Sequence, residues 1–592
     1  NSTYQVNDNN ENLSWQAIGY AGPDPDHSST QNDDTDKAFG PLYEGIIDLA
    51  RPPDIVADDL RRFGFTVRVH GQKFKLPELA VDPSMIIGCD AVVVGSGSGG
   101  GVVAGVLANA GYKVLVLEKG KYCARRNLSL LEGPAMQEMY LSGGLLASDD
   151  LGMVVLAGST VGGGSTINWS ASVKTPAHVI KEWCDEYELE LFDSDLYREA
   201  INVVCEKMGV QSEIQEEGFN NEILRKGCEE LGYDVENIPR NSPPDHYCGW
   251  CCFGCKDGRK LGVSETWLVD VMNSGHGAIL PGCEAIQVLQ AREKGKKKGI
   301  AVGVAFEFQQ KGEKQIWIAE AKVIVIAGGA LCTPHLLKKS GLKNPNIGNN
   351  LHLHPVTMAW GHFPHYHYKK AYEGGIMTAM SKVVAGSEKS KYGALIQTPA
   401  LHPGMFAGLM PWISGTDIKG RMCKFSKTAH IFALARDKGS GTVKSPNSIS
   451  YKMEEEDEMN LKKGVEKVLR ILAAAGAEEI GTHHCKGKTL KVKQASLDEF
   501  EKFVKDESSR ALSDLSTPIC SAHQMGSCRL GVDPRTSAVK PSGETWEVEG
   551  LFVADASVLP TALGVNPMVT VQAIAYCITQ SVLDVLRRKK RE

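Results

Sequence analysis

The chain has 592 residues, with 65 Lys+Arg against 71 Asp+Glu and 42% hydrophobic residues. That length exceeds one compact core and predicts two domains. The formal charge of −6, with basic residues only in short runs such as Lys294–Lys298, argues against a nucleic-acid partner. The most apolar stretches, near Ala91–Val94 and Lys322–Leu331, are too short and glycine-broken to read as membrane spans.

The 16 cysteines are scattered, which fits an intracellular, reducing compartment better than a disulfide scaffold. Any membrane, peroxisomal or endoplasmic-reticulum association is assigned to residues outside this chain. Oligomeric state is not legible.

In chain order, residues 1–84 read as a polar, surface-wrapping arm followed by a short helix over Asp54–Phe63. At Cys89 the pattern changes to an apolar strand (Cys89–Val94), a glycine turn, a helix (Val102–Ala110) and a second strand (Val114–Glu118), a βαβ opening. Three alternating runs, Ile286–Arg292, Ile300–Phe308 and Gln315–Ala319, predict a β-meander that returns through the buried strand Val323–Ala327. Leu551–Ala554 is a further strand, and Met568–Leu586 has apolar residues at helical spacing. Nucleotide-domain elements therefore fall in 85–190, 281–345 and 516–592, leaving 191–280 and 346–515 for a second domain. That domain includes an amphipathic helix through Val465, Val468, Leu469 and Leu472. The fold class is α/β (α+β).

Gly95-x-Gly97-x-x-Gly100 follows a strand, opens a helix, and has Glu118 at the end of the next strand. This is the dinucleotide fingerprint with its context complete. The glycines let the backbone approach a pyrophosphate at the helix N-terminus, and Glu118 suits ribose hydroxyls. FAD and NAD share the motif, so it does not choose between them.

A second glycine loop, Gly158–Asn168, permits backbone contact with a flat ring and supplies Gly158, Thr160, Gly163, Ser165 and Asn168 as candidate cofactor contacts. Further blocks are Gly329–Gly341, Gly348–Pro355, His523–Gly531, Leu551–Pro560 and Gly564–Pro567. With these blocks in this order, the chain resembles the glucose–methanol–choline (GMC) oxidoreductases, and within them the plant and yeast long-chain fatty alcohol oxidases.

The resemblance implies a glutathione-reductase-type FAD domain beside a substrate domain, a six-stranded antiparallel sheet over helices. It further implies oxidation of a primary, long-chain alcohol with O2 as electron acceptor and hydrogen peroxide as product. His523 corresponds to the family's active-site base and Asn566 to the second active-site position, which holds the substrate oxygen. Asp555 corresponds to a ribityl contact. The family often has a basic or amide residue where Ser159 stands here, and no histidine in Gly158–Asn168 suits covalent attachment, so noncovalent FAD is expected.

A neutral imidazole suits removal of a hydroxyl proton near physiological pH. Asn566 before Pro567 also reads as an N-cap and first-turn pair for the terminal helix, whose positive end would favour negative charge on the flavin. The rivals are a dehydrogenase using another acceptor or another alcohol, a lyase with structural FAD, and a non-enzymatic nucleotide binder.

Cys248, Cys251, Cys252 and Cys255 crowd one short segment. No metal is expected there: reduced structural thiols are the preferred reading, with an iron–sulfur cluster or a disulfide as alternatives. His352, His354, His362, His365 and His367 lack an accompanying acid or thiol and read as a polar strand face.

Overall fold

The computed structural model describes residues 12–23, 39–69, 83–292, 298–385 and 391–591. Apart from Lys298, the basic run Lys294–Lys298 lies outside them.

A five-stranded parallel sheet forms the first core, in the order Leu551–Val553, Val323–Ile326, Ala91–Val94, Val114–Glu118, Gly277–Pro281. Helices cover it, so these strands are buried continuously rather than in alternation. The meander appears as Glu284–Ala291, Gly299–Gln310 and Glu313–Glu320, paired antiparallel. It is extended by Met85–Gly88, which runs parallel to its last strand. The meander thus packs over the parallel sheet and delivers the chain to Val323.

The C-terminal helix Met568–Arg591 packs on the fingerprint helix Ser98–Asn109. By length and composition it could cross a membrane, but most of it is buried inside the protein, as a core helix would be. Its apolar residues recur at helical spacing with polar residues between them, so no continuous apolar run announced it.

The second core lies under a mainly antiparallel sheet whose centre is Val356–His362, Thr428–Ala435, Ala394–Gln397 and Ala379–Val384. Short flanking strands bring it to ten, against the six implied by the resemblance. Two of them, Val154–Val155 and Cys520–Ser521, pair with each other and tie segments near the nucleotide domain into this sheet. Helix Glu455–Ala474 covers its outer face through Val465, Val468, Leu469 and Leu472, and is started by a Glu454/Asp457 capping box. The predicted short helix is Pro53–Arg62. Part of the arm docks, with Tyr20 inserted beside Trp250 and His402.

Candidate active site

A cavity of about 1220 Å³ opens between the two sheets, lined by both. This exceeds the roughly 300–1,000 Å³ of a single small-ligand site and leaves room for a dinucleotide and a second molecule.

At one end stands the fingerprint. Gly97 precedes Ser98–Asn109 without a side-chain cap, so the first helical N–H groups are open to an anion. The glycines are required by close backbone approach. A Cβ on Gly95 would fall 2.2 Å from the Ala327 carbonyl oxygen, and one on Gly163 would fall 2.8 Å from Gly97 Cα. Glu118 is buried at the cavity wall, its carboxylate accepting from Ser96 N (2.9 Å), Ser96 Oγ (2.6 Å) and Gly120 N (2.7 Å). Burial pushes its pKa up, and these donors pull it back. Asp555 is held in the same manner by Gly329 N, Thr333 Oγ1 and Ser557 N, and burial likewise raises its pKa.

The cavity is lined by Gly95, Gly97, Glu118, Gly158, Gly163, Asn168, Asp555 and Pro567, and also by Ser159. Gly100, Thr160 and Ser165 are not in its wall. Gly100 packs against the Gly95 carbonyl, Thr160 Oγ1 donates to Lys121 O, and Ser165 Oγ donates to Gly162 O while accepting from Val263 N. These three shape the loops from behind.

His523 and Asn566 both line the cavity. The backbones of His352 and Met525 bond each other antiparallel, 2.9 and 3.0 Å. That register sets residue 354 opposite residue 523, and the two imidazoles meet, Nδ1 to Nδ1, at 3.1 Å. His354 is fully buried, in left-handed backbone conformation (φ 49°), and its Nε2 accepts from Leu563 N (3.1 Å) and Gly564 N (2.9 Å). Burial lowers the pKa of His354 to about 4 and of His523 to about 3, so both rings are neutral at physiological pH. Sequence reasoning placed His354 on a polar strand face. It instead precedes Val356–His362 and turns inward, and its position just before Pro355 in the Gly348–Pro355 block was the available signal.

Asn566 is buried, and its Oδ1 accepts from Gln397 Nε2 at 3.0 Å. The terminal helix begins at Met568, and Val571 N bonds Pro567 O. The amide is therefore held by the second domain's sheet, where the sequence had suggested a capping role. Gln397 carried no sequence signal.

The sequence matches the GMC oxidoreductase family over residues 136–356 (N-terminal part) and 439–575 (C-terminal part). The chain belongs to the GMC oxidoreductases. It is 62% identical to the long-chain-alcohol oxidase FAO4A of Arabidopsis thaliana, across 99% of this chain and 82% of that protein. It is 45% identical to FAO3 of the same plant, across 98% and 77%. Among solved structures it is similar to pyridoxine 4-oxidase from Mesorbium loti (TM-score 0.61, 16% identity, 84% of this chain and 99% of that one). It is also similar to formate oxidase from Aspergillus oryzae RIB40 (TM-score 0.57, 16% identity, 86% and 100%). As in this family, FAD is the cofactor. The open helix N-terminus, the glycine cradle and the anchored Glu118 fit its dinucleotide portion.

The cysteines of Cys248–Cys255 are all unpaired by disulfides, as are the rest of the 16. A residue unremarked in the sequence, His246, stands among them.

Proposed function

We propose that this GMC oxidoreductase oxidises primary long-chain alcohols to aldehydes and passes the electrons to O2, forming hydrogen peroxide. The observation that carries the reading is one cavity containing both the dinucleotide cradle and the pair His523/Asn566, with apolar walls that include Met136, Leu141, Leu156, Met358, Met405 and Leu409. Such walls suit a hydrocarbon tail. The full-length similarity to long-chain-alcohol oxidases supports the substrate class.

Gly95, Gly97, Glu118 and Asp555 would hold FAD, with Gly100 shaping the turn from behind, and the flavin would supply the hydride acceptor. Gly158, Gly163 and Asn168 would meet its ring system, with Thr160 and Ser165 bracing that loop. The Pro567 end of the C-terminal helix offers a positive dipole to the same region. No histidine of Gly158–Asn168 is available for a covalent link, which supports noncovalent binding.

His523 handles the hydroxyl proton. Its neutrality leaves it able to accept one, and the enclosure that lowers its pKa also keeps water from competing. Because two N–H groups occupy His354 Nε2, the neutral His354 carries its hydrogen on Nδ1 and donates it to His523 Nδ1. His523 then rests with its hydrogen on Nε2, and proton uptake is coupled to opening of the His354 contact. Asn566, its oxygen taken by Gln397, offers its NH2 to the substrate oxygen.

The scattered unpaired cysteines support an intracellular setting. The test is an anaerobic titration of the yellow protein with alcohols of increasing chain length. Long primary alcohols should bleach the flavin, and air should restore it with peroxide formed. H523A should stay yellow while its reduction slows about 10²–10⁴-fold. Bleaching of H523A at the wild-type rate removes His523 from this role, and an unbleached wild-type protein removes the oxidase reading.

A further inference from the structure

We infer that His246, Cys248, Cys251 and Cys255 bind one zinc ion, which clips the loop behind the flavin-binding glycine segment. The ligating atoms of His246, Cys248 and Cys251 all lie within 4.8 Å of one another, and so do those of His246, Cys255 and Asp257. His246 belongs to both groups and links them. Around tetrahedral zinc, with bonds of about 2.0–2.3 Å, donor atoms stand roughly 3.3–3.8 Å apart. His246, Cys248 and Cys251 already lie near that spacing, and Cys255 completes the shell by turning from Asp257 toward them.

The histidine gives the independent sign of a ligand. It is 3% exposed, and its Nε2 has no hydrogen-bond partner. A buried imidazole nitrogen left so is costly unless something coordinates it. A disulfide between Cys248 and Cys251 would leave that nitrogen unanswered and consume two of the sulfurs around it. An iron–sulfur cluster spreads its thiolates over separate iron atoms, whereas here one imidazole lies within 4.8 Å of each of the three thiols. Soft sulfur with one imidazole is a donor set that selects zinc over magnesium or calcium.

The surroundings suit thiolates. Trp250 N donates to Cys248 Sγ at 3.2 Å, and Lys260 N donates to Cys255 Sγ at 3.1 Å. Three thiolates and a dication leave one negative charge, and the buried Lys260 ammonium lies against Cys251 O at 3.2 Å. Binding releases the three thiol protons to solvent and changes no oxidation state. Cys255 now donates to Asp257 Oδ1, at the rim, which gives its proton a way out.

The position of the ion explains its use. Lys260 Nζ also donates to Thr166 O and Asn168 O at 2.8 Å, so the zinc loop grips the segment that carries Asn168 into the cavity. Tyr140, another cavity residue, donates to Cys252 O at 2.7 Å.

The test is elemental analysis of the full-length holoprotein. About one zinc per chain is expected, without iron or acid-labile sulfide. H246A and C251S should lose the zinc. Should these variants not fold, titration of the wild-type thiols with a mercurial must release zinc to a colorimetric chelator. Wild-type protein that contains no zinc and takes up none from added zinc chloride overturns the inference. So does iron with sulfide, or wild-type zinc content in both variants.

Discussion

His354 and His523 face each other Nδ1 to Nδ1 at 3.1 Å, and the backbone of Leu563 and Gly564 decides which of them holds the shared hydrogen. The same backbone runs two residues further to Asn566. One short loop thus fixes the proton arrangement of the imidazole and the position of the amide, joining groups far apart in the chain.

H354A should keep FAD and slow flavin reduction by alcohol about 10-fold, because losing the hydrogen bond that orients the His523 ring outweighs the freeing of its Nδ1. Because it frees His523 Nδ1, the pH profile of reduction should shift along with the rate. A slower enzyme with an unchanged profile would mean that His354 only supports packing. An unchanged rate would remove it from the mechanism.

Gln397 presents a separate test. Q397L leaves Asn566 Oδ1 buried without a donor, at a cost of about 1–3 kcal/mol. FAD content should not change, since Gln397 stands behind Asn566 and does not itself line the cavity. kcat/KM for alcohol should fall roughly 10-fold, and Q397E, which cannot donate when ionised, should fare no better. Full activity in Q397L would show that the amide needs no external hold.

The fingerprint, the meander and the His523/Asn566 pair were legible because each rests on local pattern or on blocks in a fixed order. Glycines at Gly95 and Gly97 mark close backbone approach wherever they occur, and period-two alternation survives translation into strands. What lay hidden depended on pairing across long separations. His354 meets His523 only through the His352–Met525 register, and Gln397 meets Asn566 only because Ala394–Gln397 ends beside it. Thr160 and Ser165 sat in the right loop, but spacing says nothing of which way a hydroxyl turns. Capping chemistry favoured Asn566 locally, and a tertiary hydrogen bond took precedence.

Gly163 joins the two glycine loops, and it can be tested without touching the chemistry. It has φ 53°, and an added Cβ would meet Gly97 Cα, so neither backbone nor space admits a side chain. G163A should lose about 1–3 kcal/mol and purify largely without FAD. G111A has no neighbour in reach of its Cβ, though its φ of 82° is also unfavourable. It should lose stability while retaining FAD. If G163A retained FAD as well as G111A, the two loops would not need to touch.

Acid should reveal the buried histidines. His402 and His483 are held at about pKa 4, as is His354, and His430 is also held well below its ordinary value, in each case chiefly through burial. An unfolded chain binds these protons near pH 6.5, but the native protein refuses them. Stability from these groups is therefore fully present above pH 6.5 and falls as pH drops toward 4, by up to about 1.4 kcal/mol per pH unit for each ring. Buried carboxyls such as Glu118 and Asp555, whose pKa values are raised, act in the opposite sense, so the total slope mixes both. A difference measurement separates them. His483 stacks on His430 and hydrogen-bonds the Met358 carbonyl at 3.1 Å, away from His523. H483N leaves the carboxyls unaltered, so urea unfolding at pH 7, 5.5 and 4.5 should give a slope shallower than wild type by about one proton. Parallel slopes for the two proteins would mean that His483 is protonated in the native state.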